Sequence, residues 1–456
     1  MTREVHSTHD TTRTMRFDLG GGAVGFVESA TAVPLVSIVV ALRTGSVADP
    51  DGKDGVFRLM ARMLRRGSHG MSAIEVEHAI DQLGAELGLD VSPSTASLHG
   101  QVIRRNLRPF CELLATIVGK PTFAEDEFLR LRRESIAEIY DARDNDRALA
   151  SRAFRRALFA DHPYARSASG RPSSLEKLTR DDVVSAYQRH FVRADCVIGF
   201  AGAITEAEAR ELGALIAGAL REKSDGGDGH DGPAQPVDIP EPKPPAGRSL
   251  IFVDKPERTQ TQILIGTLGT FPHDADHFPL VCATAILGGT FTSRMMREIR
   301  SKRGWSYGTS ARLTIDRRRH AFVMAAFPAS NDCAPCISLE LSMLEQFVRG
   351  GVWQREISFI KNYIVRSHAF DIDTAPKRLG QALDSELLAL PEDYYTHYLD
   401  HVRAVTPTTA SAAITARISP DNLVVVVVGT ASDIVNQVTA AIPRLARHEV
   451  IPFDRE

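Results

Sequence analysis

Two stretches of the chain repeat one hydrophobic and polar pattern. Each passes from a Thr-led helix start through a helix and a short polar turn into an apolar strand ending in Gly. The first is Leu178–Gly202 (LTRDDVVSAYQRHFVRADCVIGFAG) and the second is Val405–Gly429 (VTPTTASAAITARISPDNLVVVVVG); 405 − 178 and 429 − 202 both give 227. An ungapped offset of that length marks an internal duplication. The halves also open alike. Leu35–Leu42 (LVSIVVAL) and Thr261–Leu268 (TQILIGTL) are strand-like. Each leads through a polar turn, at 48–52 and 272–276, into a helix that follows Gly55 or starts near Phe278. Helical periodicity returns near Ser72–Leu87, Leu107–Val118, Glu125–Arg143 and Leu339–Arg349. The pattern predicts an α+β fold made twice, each copy a mainly antiparallel sheet with helices packed on one face.

One segment interrupts it. From Glu222 to Gly247 the chain reads EKSDGGDGHDGPAQPVDIPEPKPPAG, rich in Gly, Asp and Pro with almost nothing to bury. Such composition makes an interdomain linker. The expected order is a disordered polar tail over 1–15, a first domain over 16–221, a linker over 222–247 and a second domain over 248–456.

Composition narrows the function classes. Of 456 residues 43% are hydrophobic and 24% charged, which excludes wholesale disorder. The net charge of −3 argues against nucleic acid or an acidic membrane held by bulk charge. No apolar run approaches the ~18 residues of a membrane span. Five cysteines are no disulfide framework, and the polar N-terminus has no secretory h-region. The expected compartment is therefore the cytoplasm.

The helix after Gly55 (GVFRLMARMLRRGS) carries the most specific signal. With Gly67-Ser68, the Ala85-Glu86-Leu87-Gly88 turn, Asp161-His162-Pro163-Tyr164, Gly170, Leu287-Gly288-Gly289 and Ser293-Arg294, it resembles the pitrilysin/insulinase-type zinc peptidases. These are inverted zincins that include the mitochondrial processing peptidases. Where that family carries H-x-x-E-H, this chain has Arg58-Leu59-Met60-Ala61-Arg62. Positions 58 and 62 share one helix face. Two guanidiniums there cannot bind zinc, because they stay protonated, and Ala61 has no proton-accepting group to act as the general base. Glu138 follows Arg62 at the spacing of the family's third ligand, and the expectation is an ion pair with Arg58 or Arg62. The competing reading of the arginines is a solvated basic face.

The family also carries an Arg/Tyr pair opposite the zinc site, contacting the substrate backbone and the carbonyl under attack. Arg300 and Tyr307 match its seven-residue spacing. A guanidinium and a phenol are fixed donors suited to a developing oxyanion. Three other clusters hold weaker chemistry. His397 and His401 imitate a metal helix without an evident third ligand, and Cys333-Ala334-Pro335-Cys336 reads as small residues near a helix start. His273 and His277 are expected only to hydrogen-bond locally.

The resemblance implies the non-zinc subunit of a two-chain peptidase, closing clam-like with a homologous H-x-x-E-H-bearing partner around an enclosed chamber. Zinc is expected in the partner and no cofactor in this chain. Arg300 and Tyr307 would contact an extended peptide in trans. The rival is a proteolytically inactive scaffold or binding protein. A self-sufficient hydrolase finds no Ser/His/Asp or Cys/His motif of known spacing to support it.

Overall fold

The computed structural model of the chain describes residues 14–222 and 237–455. Most of the polar tail and the centre of the Gly/Pro-rich segment lie outside the described residues. The first half contributes strands β1 (Met15–Gly20), β2 (Ala23–Ser29), β3 (Leu35–Leu42), β4 (Glu86–Val91), β5 (Ala96–Ile103) and β6 (Cys196–Gly202). The second contributes β7 (Arg248–Asp254), β8 (Gln262–Leu268), β9 (Thr309–Leu313), β10 (Ala321–Ala326), β11 (Leu423–Gly429) and β12 (Leu445–Pro452).

Each set forms one six-stranded sheet, in the orders β1-β2-β6-β3-β5-β4 and β9-β10-β8-β11-β7-β12. Five strands correspond one to one. In both, the first strand of the common set runs parallel to the last (β2 with β6, β7 with β11), and the remaining pairs within that set are antiparallel. The outermost strands differ: β1 is an antiparallel hairpin partner of β2, whereas β12 runs parallel to β7.

Apart from the single turn Pro172–Leu175, the α-helices of the first half are α1 (Val56–Met63), α2 (Ala73–Gln82), α3 (Leu107–Gly119), α4 (Glu125–Asp141), α5 (Asp146–Phe159), α6 (Arg180–His190) and α7 (Glu206–Ala219). The second half has α8 (His277–Thr284), α9 (Ser330–Gly350), α10 (Gln354–Ser367), α11 (Ala375–Leu387), α12 (Tyr398–Ala404), α13 (Pro407–Arg417) and α14 (Ala431–Ala440). One face of each sheet packs on helices of its own half. Phe57, Phe110, Leu114, Val183 and Ile216 share one core, and Leu280, Leu341, Leu344, Ile414 and Val438 share the other.

The second face of each sheet is covered by a helix from the other half. Leu149, Ala150, Ala153 and Phe154 of α5 pack on Val424, Val426 and Val428 of β11. Reciprocally, Ala375, Leu379, Leu383 and Leu387 of α11 pack on Val24, Phe26, Ala41 and Val197. The two helices begin 229 residues apart (375 − 146), close to the 227 of the repeat, so the exchange joins equivalent elements. It explains why β11 reads as an unbroken valine run: every residue of the strand is buried, some against each face. At Gly199 in β6 a Cβ would stand 3.0 Å from Leu379 Cδ1, so glycine permits the close seating of α11.

Two expectations need correction. Helix α2 stops at Gln82, and Glu86-Leu87-Gly88 belongs to β4 rather than to a helix or a turn, because Gly84 (φ +58°) turns the chain out of the helix. The expected linker also has something to bury at its C-terminal end. Ile239 is 3% exposed within the α5–β11 core, and Arg318 Nε donates to its carbonyl at 2.6 Å. His162 Nε2 lies 2.7 Å from Pro240 O, and Arg319 pairs with Glu241 at 3.0 Å.

Candidate functional site

Helix α1 starts at a buried carboxylate. Asp49 accepts from Gly55 N at 2.6 Å and Phe57 N at 2.9 Å, satisfying donors the first turn leaves open. Gly55 holds φ at +95°, a conformation costly for any side chain. Burial pushes the Asp49 carboxyl up to about 7 against the pull of those two amides. The helix then buries Val56, Phe57, Leu59, Met60, Ala61 and Met63, leaving Arg58 and Arg62 on its open face.

That face meets α4. Arg62 grips Glu138 at two points, Nη1–Oε2 2.9 Å and Nη2–Oε1 2.7 Å, and also donates to Ser135 Oγ at 3.0 Å. Arg58 Nη1 reaches the same Glu138 Oε2 at 3.3 Å. Burial raises the Glu138 carboxyl, but the hydrogen bond and charge of Arg62, then Arg58, outweigh it and hold the group below its ordinary range. The neighbouring arginines are paired too, Arg65 with Glu77 at 2.6 Å and Arg66 with Glu134 at 2.6 Å. The surface is therefore not a solvated basic face but a set of ion pairs. Its donor set does not fit zinc. Positions 58 and 62 offer protonated nitrogens without lone pairs, and Ala61 is a buried methyl. The one carboxylate at hand already accepts from both arginines.

Edge strand β4 flanks this face. Leu89, Asp90 and Val91 line one groove with Arg58, Arg62 and Ile74, the last 79% exposed. Among the described residues the outer edge of β4 pairs with no strand, so it can accept another.

The Arg/Tyr pair lies in the second half. Met296–Ser301 winds with i→i+5 bonds, such as Lys302 N to Arg297 O at 3.0 Å, a widened turn often found at functional sites. It carries Arg300 on its outer side. Arg300 Cζ stands 4.9 Å from the ring centre of Tyr307 and 4.6 Å from that of Phe291. Tyr307 is 90% exposed and Phe291 70%, so neither ring is core packing. Among the described residues the Arg300 side chain makes no ion pair or hydrogen bond, which leaves its donors available. Phe291 escaped the sequence reading; the only cue was an aromatic residue just after the Gly288-Gly289 pair. Tyr307 lies two residues before edge strand β9, while Arg294 is structural and pairs with Glu356 at 2.8 and 2.7 Å.

The other clusters resolve into packing. His277 is fully buried and lies 3.0 Å from Thr270 Oγ1 and 3.1 Å from Tyr394 Oη, and burial pushes its imidazole down to about 4. His273 Nε2 lies 2.7 Å from Ala389 O. Their bonds to Tyr394 and Ala389 are thus long-range, not local as expected, because the chain 389–394 folds back over the start of α8. His401 stacks on Phe278 at 4.6 Å and pairs with Asp393 at 3.1 Å. Cys333 and Cys336 are buried in α9, and burial raises both thiols, Cys333 to about 12, so they stay protonated. No group of three or more His, Cys, Asp or Glu among the described residues is placed to hold a metal ion. No helix among them is long and apolar enough to cross a membrane.

Comparison with known proteins places the fold. The insulinase (peptidase M16) profile matches residues 26–171, and the profile described as the peptidase M16 inactive domain matches 177–364, together more than half the chain. A Mycobacterium tuberculosis protein named an uncharacterized zinc protease is 24% identical over 399 residues, covering 86% of this chain and 87% of its own. The Helicobacter pylori protein YmxG, named a non-peptidase homologue, is 19% identical over 384 residues, covering 82% and 84%. The crystal structure of a peptidase M16 inactive domain from Pseudomonas fluorescens superposes with a TM-score of 0.82 at 24% identity, covering 91% of this chain and 98% of that one. A protease from Helicobacter pylori superposes at 0.83 with 16% identity, covering 92% and 100%. At those identities the superpositions speak for the fold alone. The two profile matches, together with the duplicated sheets, make this chain a member of the insulinase family, peptidase M16.

Proposed function

We propose that this protein is the non-zinc subunit of a two-chain peptidase, working in the cytoplasm beside a homologous chain that bears H-x-x-E-H. One observation carries the reading. Arg62 is spent on an ion pair with Glu138 where the resemblance would put the metal, while Arg300 and Tyr307 keep their donors unspent and Tyr307 is exposed. A chain kept only for its shape has no need of a guanidinium stacked between two exposed rings.

In this reading zinc and the general base belong to the partner. This chain supplies half of the chamber wall and two donors. An extended peptide adds as a strand to an open sheet edge, such as β4 or β9. Arg300 and Tyr307 meet its backbone and stabilise the negative charge that develops on the carbonyl under attack. Coexpression with the H-x-x-E-H-bearing chain of the same host tests this. The expected result is a stable heterodimer that cleaves peptides when neither chain alone does. No association of the two chains would overturn it.

A second reading is an inactive scaffold with a peptidase-like fold, favoured by the relative named a non-peptidase homologue. It predicts the heterodimer's activity to be indifferent to Arg300 and Tyr307.

A further inference from the structure

Arg300 is held in a different way from nearby Arg294. Arg294 spends Nε and Nη2 on Glu356, at 2.8 and 2.7 Å, and Nη2 also reaches Gly351 O at 2.9 Å. Arg300 has no such carboxylate. Glu298, the one acid in 296–303, is taken by Lys302 at 2.7 Å and by Arg303 at 3.0 Å. Two rings take the place of the acid: Arg300 Cζ stands 4.6 Å from the ring centre of Phe291 and 4.9 Å from that of Tyr307. Both distances fall inside the reach of a cation–π contact, about 6 Å.

Each ring is carried on an anchored segment. Gly288 lies so close to β9 that a Cβ there would stand 2.1 Å from Ala311 N. Beyond Phe291, Ser293 N donates to Thr290 O at 3.1 Å, and the buried side chains of Ser293 and Met295 pin the loop from beneath. On the other side Gly304 takes φ +66°, and Trp305 N donates to Ile299 O at 3.1 Å, folding the chain back toward β9. Buried Ser306 then accepts from Phe327 N at 3.0 Å. The backbones are fixed, while the rings they present stay exposed.

The two ways of fixing an arginine differ in what they leave over. A carboxylate orients the guanidinium and consumes its N–H groups. A ring face orients its plane and leaves the N–H edges free. An arginine held by neither spreads over many rotamers, which must be given up when a substrate arrives. We propose that Phe291 is a positioning residue: with Tyr307 it clamps the Arg300 guanidinium in one orientation and keeps its donors open for the carbonyl under attack. This role, which rests on the reading of Arg300 as an oxyanion donor, belongs to the ring face alone. Phe291 has no donor of its own and acts only through Arg300.

The first readout needs only the full chain. With isotope-labelled arginine, the Arg300 Nε–H resonance is identified by its loss in Arg300→Lys. It should be displaced by the ring currents and should return toward the free-arginine position in Phe291→Leu; Phe291→Trp should keep it displaced. The second readout is peptide cleavage by the two-chain complex. Phe291→Leu should lower kcat about two- to five-fold, the scale of one exposed cation–π contact, with KM moving less. Phe291→Trp, which keeps a ring face, should lose less than Phe291→Leu. In an Arg300→Ala background Phe291→Leu should have no further effect, whereas a merely structural residue would lower activity in both backgrounds. An Arg300 resonance unmoved in Phe291→Leu, or equal losses with and without Arg300, would overturn the clamp. A displaced resonance beside full activity of Arg300→Ala would instead overturn the oxyanion reading, and the positioning role with it.

Discussion

Arg62 and Glu138 form a two-point ion pair, at 2.9 and 2.7 Å, between α1 and α4. A salt bridge thus holds α1 to α4. Because Arg62 and Arg58 keep the Glu138 carboxyl below its ordinary range, the pair's contribution is present above the unfolded pKa of about 4.3 and lost as pH falls through the folded value. Glu138 is 45% exposed, so its worth stays within about 1 kcal/mol. Urea unfolding of the parent and Glu138→Gln should differ at pH 7, and the gap should narrow as pH falls below about 4.3. An unchanged gap at pH 3 would contradict this account.

The same geometry makes the motif restorable. Arg58 and Arg62 both reach Glu138, so imidazoles at those positions would face the carboxylate. The combined variant Arg58→His, Ala61→Glu, Arg62→His should take up zinc after chelator treatment, whereas the parent should not. Elemental analysis of both proteins decides, and zinc in the parent would refute the reading of the arginines.

Arg300→Ala should leave assembly with the partner intact, since the side chain packs only on exposed rings. It should lower kcat of the complex by about 10²–10³, the cost of losing one oxyanion donor. Tyr307→Phe should cost less, and the double variant less than the sum, because both donors serve one charge. Arg300→Lys should recover little activity, since an ammonium lacks the planar fork. Peptide cleavage by complexes checked by size exclusion measures all four; full activity in the double variant would leave the scaffold reading in front.

Glu340 of α9 is fully buried, and among the described residues neither carboxylate oxygen has a hydrogen-bond partner. Burial raises its pKa to about 8. The native chain therefore keeps a proton that the unfolded chain releases above about 4.3, so stability falls as pH rises toward 8 and then levels off. Glu340→Met removes that term. Its Tm should exceed the parent's by a margin that widens from pH 5.5 to pH 8.5; a constant margin would show that the carboxyl does not titrate there.

Limited proteolysis should cut first between 222 and 237, because Ile239 to Glu241 are held against the second half. The two fragments should elute together, since α5 and α11 each lie on the opposite sheet. Mass spectrometry of the eluted fragments locates the cut, and a first cut inside either half would contradict the boundary.

The duplication was legible because β6 and β11 are buried on both sides and carry continuous apolar runs at one offset. The meeting of Arg58 and Arg62 at Glu138 was legible because helix spacing puts positions 58 and 62 on one face. What escaped was whatever depended on distant partners. The apolar residues of α5 and α11 look like any amphipathic stripe, and nothing local says that the sheet they cover belongs to the other half. Ile239 lies in a Pro-rich strap with no local pattern to mark it, and its burial depends on distant Tyr164 and Arg318. Gly84 ended α2 sooner than periodicity alone implied, since a run of apolar positions does not show where the chain turns.

The exchange of α5 and α11 also sets the order in which the chain can finish folding. The first sheet is complete in sequence at Gly202, but the helix that covers its second face ends at Leu387, 185 residues later (387 − 202). At a synthesis rate of about 5–20 residues per second, Val24, Phe26 and Val197 would wait roughly 10–40 s for their cover. The N-terminal half is thus a late closer on the ribosome, and its bare valine-rich face is where a nascent-chain chaperone would have work to do.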